Sequence, residues 1–168
     1  MYPLDPEERA RAIELEEYFD EQLGPYTRFI AFHELINEPE IFAEVASRVV
    51  PAPLGRAKPL VGAYAQTLTS LRWGARDEEK AKVAREKVVA ALDVLEEELG
   101  GGDYLVGDRF SVADLTAASL FYPVVLPPEG PTPPDAPQPP AFERFRESLE
   151  DHRGFRWVEE MFRRHRER

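Results

Sequence analysis

Ser111-Val112-Ala113-Asp114 places a hydroxyl and a carboxylate three residues apart. That spacing would suit an aspartate acting as an acid beside a serine nucleophile. It equally closes a reciprocal capping box, in which the serine oxygen accepts from the Asp114 N–H and the carboxylate accepts from the Ser111 N–H. No histidine stands nearby in the sequence, and Phe110 and Leu115 occupy the positions of a hydrophobic staple. The pair therefore reads as the structural opening of a helix, and no catalytic residue is assigned. His33-Glu34-Leu35-Ile36-Asn37 begins like the zinc pattern HExxH, but Asn37 stands where the second histidine must be. Three residues before His33, His152 and His165 stand Ile30, Leu149 and Phe162, so the Glu-x-x-His pattern of di-iron bundles is absent. No metal site is expected.

Tyr18, Tyr26, Phe29 and Phe32 gather around Gly24-Pro25. They are either core packing or the lining of a groove for an apolar ligand, because a proline kink opens space beside a helix. Arg28 and Arg72 read as surface or interface cations. Glu14, Glu16, Glu17, Asp20 and Glu21 read as a solvated face. Gly100, Gly101 and Gly102 follow a helix rather than a strand, so they do not form a dinucleotide fingerprint; a P-loop and a nucleophile elbow are missing as well.

The elements that carry these residues show apolar spacing near 3.6 almost throughout. Asp5 with Pro6, Glu7 and Glu8 opens the first helix, whose stripe runs through Leu15, Phe19, Leu23, Ile30 and His33. Gly24-Pro25 predicts a kink or a junction of two helices there. A short segment from Glu40 to Val49 is closed by Pro51 and Pro53. A clean stripe runs from Ala57 to Leu71 and ends near Trp73-Gly74. Asp77 caps a helix bearing Ala84, Val88, Ala91, Leu92, Leu95 and Leu99, and the three glycines stop it. The apolar run from Ser111 to Phe121 predicts a buried central helix, with Ala113, Leu115, Ala118 and Leu120 mostly buried. Residues 123–140 hold 9 of the 16 prolines and predict a non-helical surface connector. Two short helices, with Phe142, Phe145 and Leu149, then Phe155, Val158 and Phe162, end in an arginine-rich tail. The fold class is all-α: an orthogonally packed helical bundle of about six or seven helices, in one domain spanning 1–168.

Composition narrows the function. The chain has 168 residues and no cysteine, which removes disulfides, thiolate zinc sites and cysteine nucleophiles. Its 32 acidic residues against 21 basic ones give a net charge of −11, the wrong sign for a nucleic-acid footprint. No apolar run is long enough for a membrane span, and the acidic start lacks a signal-peptide pattern. The expected compartment is the cytoplasm.

Tyr104-Leu105-Val106-Gly107-Asp108-Arg109-Phe110-Ser111-Val112-Ala113-Asp114-Leu115 resembles the most distinctive stretch of the C-terminal, all-helical domain of the glutathione S-transferase superfamily. There an apolar-Leu-x-Gly run leads into Ser/Thr-x-Ala-Asp and the central helix. The preceding Leu95-Glu96-Glu97-Glu98-Leu99-Gly100 and the later Phe142-x-x-Phe145 with Trp157 fit the same pattern. The resemblance implies a domain that offers the pocket for the electrophilic second substrate. It also implies that glutathione is activated by a thioredoxin-like N-terminal domain, of which no βαβ pattern occurs here. The chain is accordingly expected to be a lone second domain, inactive by itself. It is expected to need no cofactor of its own, glutathione being a co-substrate only with the other domain. Under this reading Leu23, Tyr26, Phe29 and His33 face that domain and the substrate, with Arg28 as an optional anion contact.

Its partners would be a thioredoxin-like domain, an apolar electrophile, or a second copy joined through the Tyr18, Tyr26 and Phe29 face. The alternative reading is a non-catalytic interaction or ligand-binding module of the same fold, like those fused to translation factors and aminoacyl-tRNA synthetases.

Overall fold

The computed structural model describes residues 1–42, 44, 77–132 and 135–166. The Ala57–Leu71 stripe, its end at Trp73-Gly74, Arg72 and most of the Glu40–Val49 segment lie outside them. The described residues form six helices and no strand: α1 Pro6–Gln22, α2 Gly24–Asn37, α3 Glu78–Leu99, α4 Val112–Val125, α5 Pro140–Glu147 and α6 Arg153–His165. Helix α4 sits between α1, α2 and α6, while α3 packs on α2 and α6, and α5 on α2.

Local chemistry sets the helix ends. The Asp5 carboxylate accepts from the N–H groups of Glu7 and Glu8, and Asp77 does the same for Glu79 and Lys80. Gly100 takes φ +50° at the end of α3, where a side chain would be strained. Gly24-Pro25 marks a junction rather than a bend. Helix α1 stops at Gln22, Leu23 is wholly buried between the helices, and Pro25 occupies the first turn of α2. A Cβ on Gly24 would come within 3.2 Å of Leu120, so the small residue lets α2 begin close against α4.

The apolar stripes account for the core. Leu15, Phe19 and Leu23 from the first stripe meet Ala84, Val88, Leu92 and Leu95 from α3 and Phe121 from α4 in one cluster. The Phe19 and Phe121 rings cross edge to face with centroids 6.1 Å apart. Ala113 and Ala118 are buried as expected, but Leu115 is 39% exposed and Leu120 only half-buried. Leu115 shares its stripe of α4 with Ser119, one turn on and also exposed, and this stripe faces away from the core. A second correction concerns Pro123. Helix α4 continues through it to Val125 instead of stopping at Phe121. Proline in the last turn leaves free the carbonyl of Ser119, four residues back, and Ser119 is exposed to water. Pro140 likewise begins α5, so the non-helical connector is shorter than the proline run.

The box at the start of α4 closes as the sequence implies. Asp114 is wholly buried. One carboxylate oxygen accepts from the Ser111 N–H at 2.7 Å and from the Ser111 hydroxyl at 2.8 Å; the other accepts from the Leu105 N–H at 2.8 Å. Burial pushes this carboxyl above its ordinary value, and the three donors only partly offset it.

Replacing Asp114 with Ala strands two buried amides and should cost about 2–4 kcal/mol in urea denaturation. Because folding raises this carboxyl's pKa, the native state favours its protonated form. Its contribution is complete below the ordinary carboxylate range and falls as pH rises through the raised value. Urea curves of the wild type should therefore lose ground to Asp114→Asn as pH increases across that interval.

Candidate functional site

An open, strongly apolar hollow lies where the first turns of α2 approach the first turns of α3. Pro25, Tyr26 and Phe29 form one side and Val83 and Ala84 the other, with Glu79 and Lys80 at the rim. Its volume is about 360 Å³, within the range of small-molecule sites. The Pro25 junction is what frees this space, since it ends α1 and starts α2 anew beside α3. Val83 is 48% exposed and lines the opening with no core role.

The five residues proposed from sequence separate. Tyr26 and Phe29 line the hollow and are half-buried. Leu23 is wholly buried in the core. His33 is buried one turn beyond Phe29, with the two rings stacked at 6.0 Å. Arg28 is exposed, and its Nε donates to the Gly24 carbonyl of its own helix at 3.1 Å, so it is not one of the lining residues. Tyr18 is half-buried, and burial raises the pKa of its hydroxyl. Of the structural set, Phe110 stacks on His165 at 4.2 Å and borders a different hollow together with Leu115.

One ion pair and several hydrogen-bonding contacts tie α3 to α2 and to the end of α1, and so fix the hollow. Arg85 donates to the Glu34 carboxylate at 2.5 Å, with the Glu34 side chain only 5% exposed. His33 Nε2 lies 3.2 Å from Glu78 and 3.4 Å from Asn37. Lys87 reaches across from α3, donating to Gln22 at 3.2 Å and standing over the Tyr26 ring at 5.9 Å. Sequence reasoning missed the α3 side altogether. Val83 and Lys80 lie off the apolar stripe of α3, and their only signal was their place in the first turns after Asp77.

The sequence model of the glutathione S-transferase C-terminal domain matches residues 42–152, about two thirds of the chain. The chain belongs to this family. The matched stretch of this glutathione S-transferase C-terminal domain holds α3, α4 and α5, including the capping box, while α1 and α2 precede it. No curated protein and no solved structure matches the chain. No helix among the described residues is long and apolar enough to cross a membrane.

Removing Arg85 leaves the Glu34 charge buried without its partner. Arg85→Ala should cost about 3 kcal/mol, read from chemical denaturation. The double replacement Glu34→Gln, Arg85→Met should recover at least half of that loss, because no unpaired charge remains.

Proposed function

We propose that this chain, as one domain over 1–168, supplies the second-substrate side of a cytoplasmic glutathione S-transferase. The hollow between α2 and α3 holds an apolar electrophile, and a thioredoxin-like domain supplies the activated thiol. Conjugation requires a thiolate and an electrophile held beside it and shielded from water. The observation that carries the reading is the apolar lining of that hollow, in a chain of this family. Tyr26 and Phe29 offer ring faces to a flat substrate, Val83 and Ala84 close the other side, and the Glu34–Arg85 pair holds the two walls at a fixed separation. Leu23 and His33 act from beneath as packing. Arg28 is available on the surface as an anion contact for the partner domain.

Self-association through the same face belongs to this reading. Tyr18, Tyr26 and Phe29 are only half-buried, and Val83 widens the apolar area. Sedimentation velocity at micromolar concentration should show a dimer that Val83→Glu dissociates. A clean monomer would remove this element.

The purified chain mixed with glutathione and 1-chloro-2,4-dinitrobenzene should give only the uncatalysed rate. The electrophile alone should perturb the NMR signals of Tyr26, Phe29 and Val83, and Val83→Glu should weaken that binding roughly tenfold. Turnover by the chain alone would refute the division of labour. Absence of binding at Tyr26 and Val83 would leave the alternative, a non-catalytic interaction module of the same fold.

A further inference from the structure

Glu143 and Arg146 stand one turn apart on α5 and line a cavity of about 280 Å³ between that helix and the proline-rich connector. Opposite charges at this spacing ordinarily pair, yet these two do not. Arg146 is drawn off by other contacts: Nε donates to the Val125 carbonyl at 2.9 Å and Nη1 to Glu150 at 2.7 Å. Its guanidinium also stands over the Phe155 ring at 5.2 Å. The Arg146 Nη2 and the Glu143 carboxylate have no protein partner among the described residues.

The remaining lining is apolar or rich in acceptors. Leu126 and Pro127 form a wall and the buried Phe142 the floor. From Leu126 to Thr132 every lining backbone donor is taken or missing. The Leu126 N–H goes to the Tyr122 carbonyl and the Thr132 N–H to the Tyr122 hydroxyl, while Pro127 and Pro128 have none. Pro133 and Pro134 lie outside the described residues and, as prolines, bring no N–H either. The Thr132 hydroxyl accepts from Tyr122 and keeps its own proton, and Gln138 donates to the Ala136 carbonyl at 3.3 Å, which leaves its Oε1 open. The wall has a fixed place, because Gly130 lies so close to Tyr122 that a Cβ there would overlap the ring.

A lone anion in this cavity would meet Glu143, and a lone cation would meet Arg146. A small molecule carrying both charges answers both groups. The volume is below the roughly 300–1,000 Å³ of drug-sized pockets, which limits the apolar body to one short side chain. We propose that the cavity binds a free α-amino acid with an apolar side chain. Its carboxylate lies on Arg146 Nη2, its ammonium on Glu143 and the connector carbonyls, and its side chain on Leu126, Pro127 and Phe142. The site shares no residue with the α2–α3 hollow and does not depend on the reading given to it.

NMR titration of the full chain with L-leucine, 4-methylpentanoate and 3-methylbutylamine tests it, since the three share one apolar body and differ in charge. Leucine should shift the Leu126, Thr132 and Phe142 signals and bind roughly tenfold or more tightly than either analogue. Glu143 is exposed, so Glu143→Gln should keep Tm. It should weaken leucine roughly tenfold and leave 4-methylpentanoate no weaker. Gly130→Ala, which displaces the connector wall and keeps both charges, should also weaken leucine. Equal affinity for the three probes, tighter binding of either analogue, or no shift at these residues up to millimolar leucine would overturn the proposal. Unchanged leucine affinity in Glu143→Gln would overturn it as well. Shifts confined to Tyr26 and Val83 would place the ligand in the other hollow and count equally against it.

Discussion

One buried carboxylate organises this bundle. Asp114 accepts from the Ser111 amide and hydroxyl and from the Leu105 amide, so a single side chain starts α4 and anchors the loop that leads into it. The loop has a second tether in α6, where the Trp157 indole donates to the Asp103 carbonyl at 2.8 Å and Arg153 donates to the Gly102 carbonyl at 3.0 Å. Within the loop Leu105 and Val106 are buried, and without Asp114 the Leu105 amide would lie there unsatisfied. Burying a carboxylate is costly, and burial pushes the Asp114 carboxyl above its ordinary value. The cost is sustained because no apolar side chain could accept both amides.

Both hollows follow from how the other helices meet this fixed centre. Helix α2 approaches α4 closely at Gly24, which settles its start. Beside the apolar residues that both helices give to the core, its far side meets α3 through charged and hydrogen-bonded pairs. Pairs of this kind set distance and angle without filling volume, and an open apolar cleft remains beside them. At the other end, the Leu115–Ser119 stripe of α4 faces outward past the last turn of α6, and the second hollow forms there.

The charge distribution separates the two hollows in character. The α2–α3 hollow has one acid and one base at its rim, Glu79 and Lys80, which suits a neutral apolar occupant. Among the described residues the ionisable groups lining the α4–α6 hollow are His165 and Arg166, placed where the negative end of the α6 dipole favours cations.

The sequence by itself determined the helices, their caps and most of the core. Those features are local: Asp5, Asp77, Ser111 and Asp114 act within one turn of their own positions, and the stripe through Ala84, Val88, Leu92 and Leu95 repeats with the helix itself. It also determined the family, because the run from Tyr104 to Leu115 concentrates the capping box and its loop in one stretch. It placed Tyr26 and Phe29 near a break and left their role between core and groove open. Tertiary structure alone decided which residues oppose them, since Val83 and Lys80 belong to a helix more than fifty positions away and carry no periodic signal. It also decided that His33 packs beneath the hollow, that Leu115 faces outward, and that Pro123 remains inside its helix. Each of these depends on which helix face a neighbour covers, and that is fixed only when separate stripes compete for the same core.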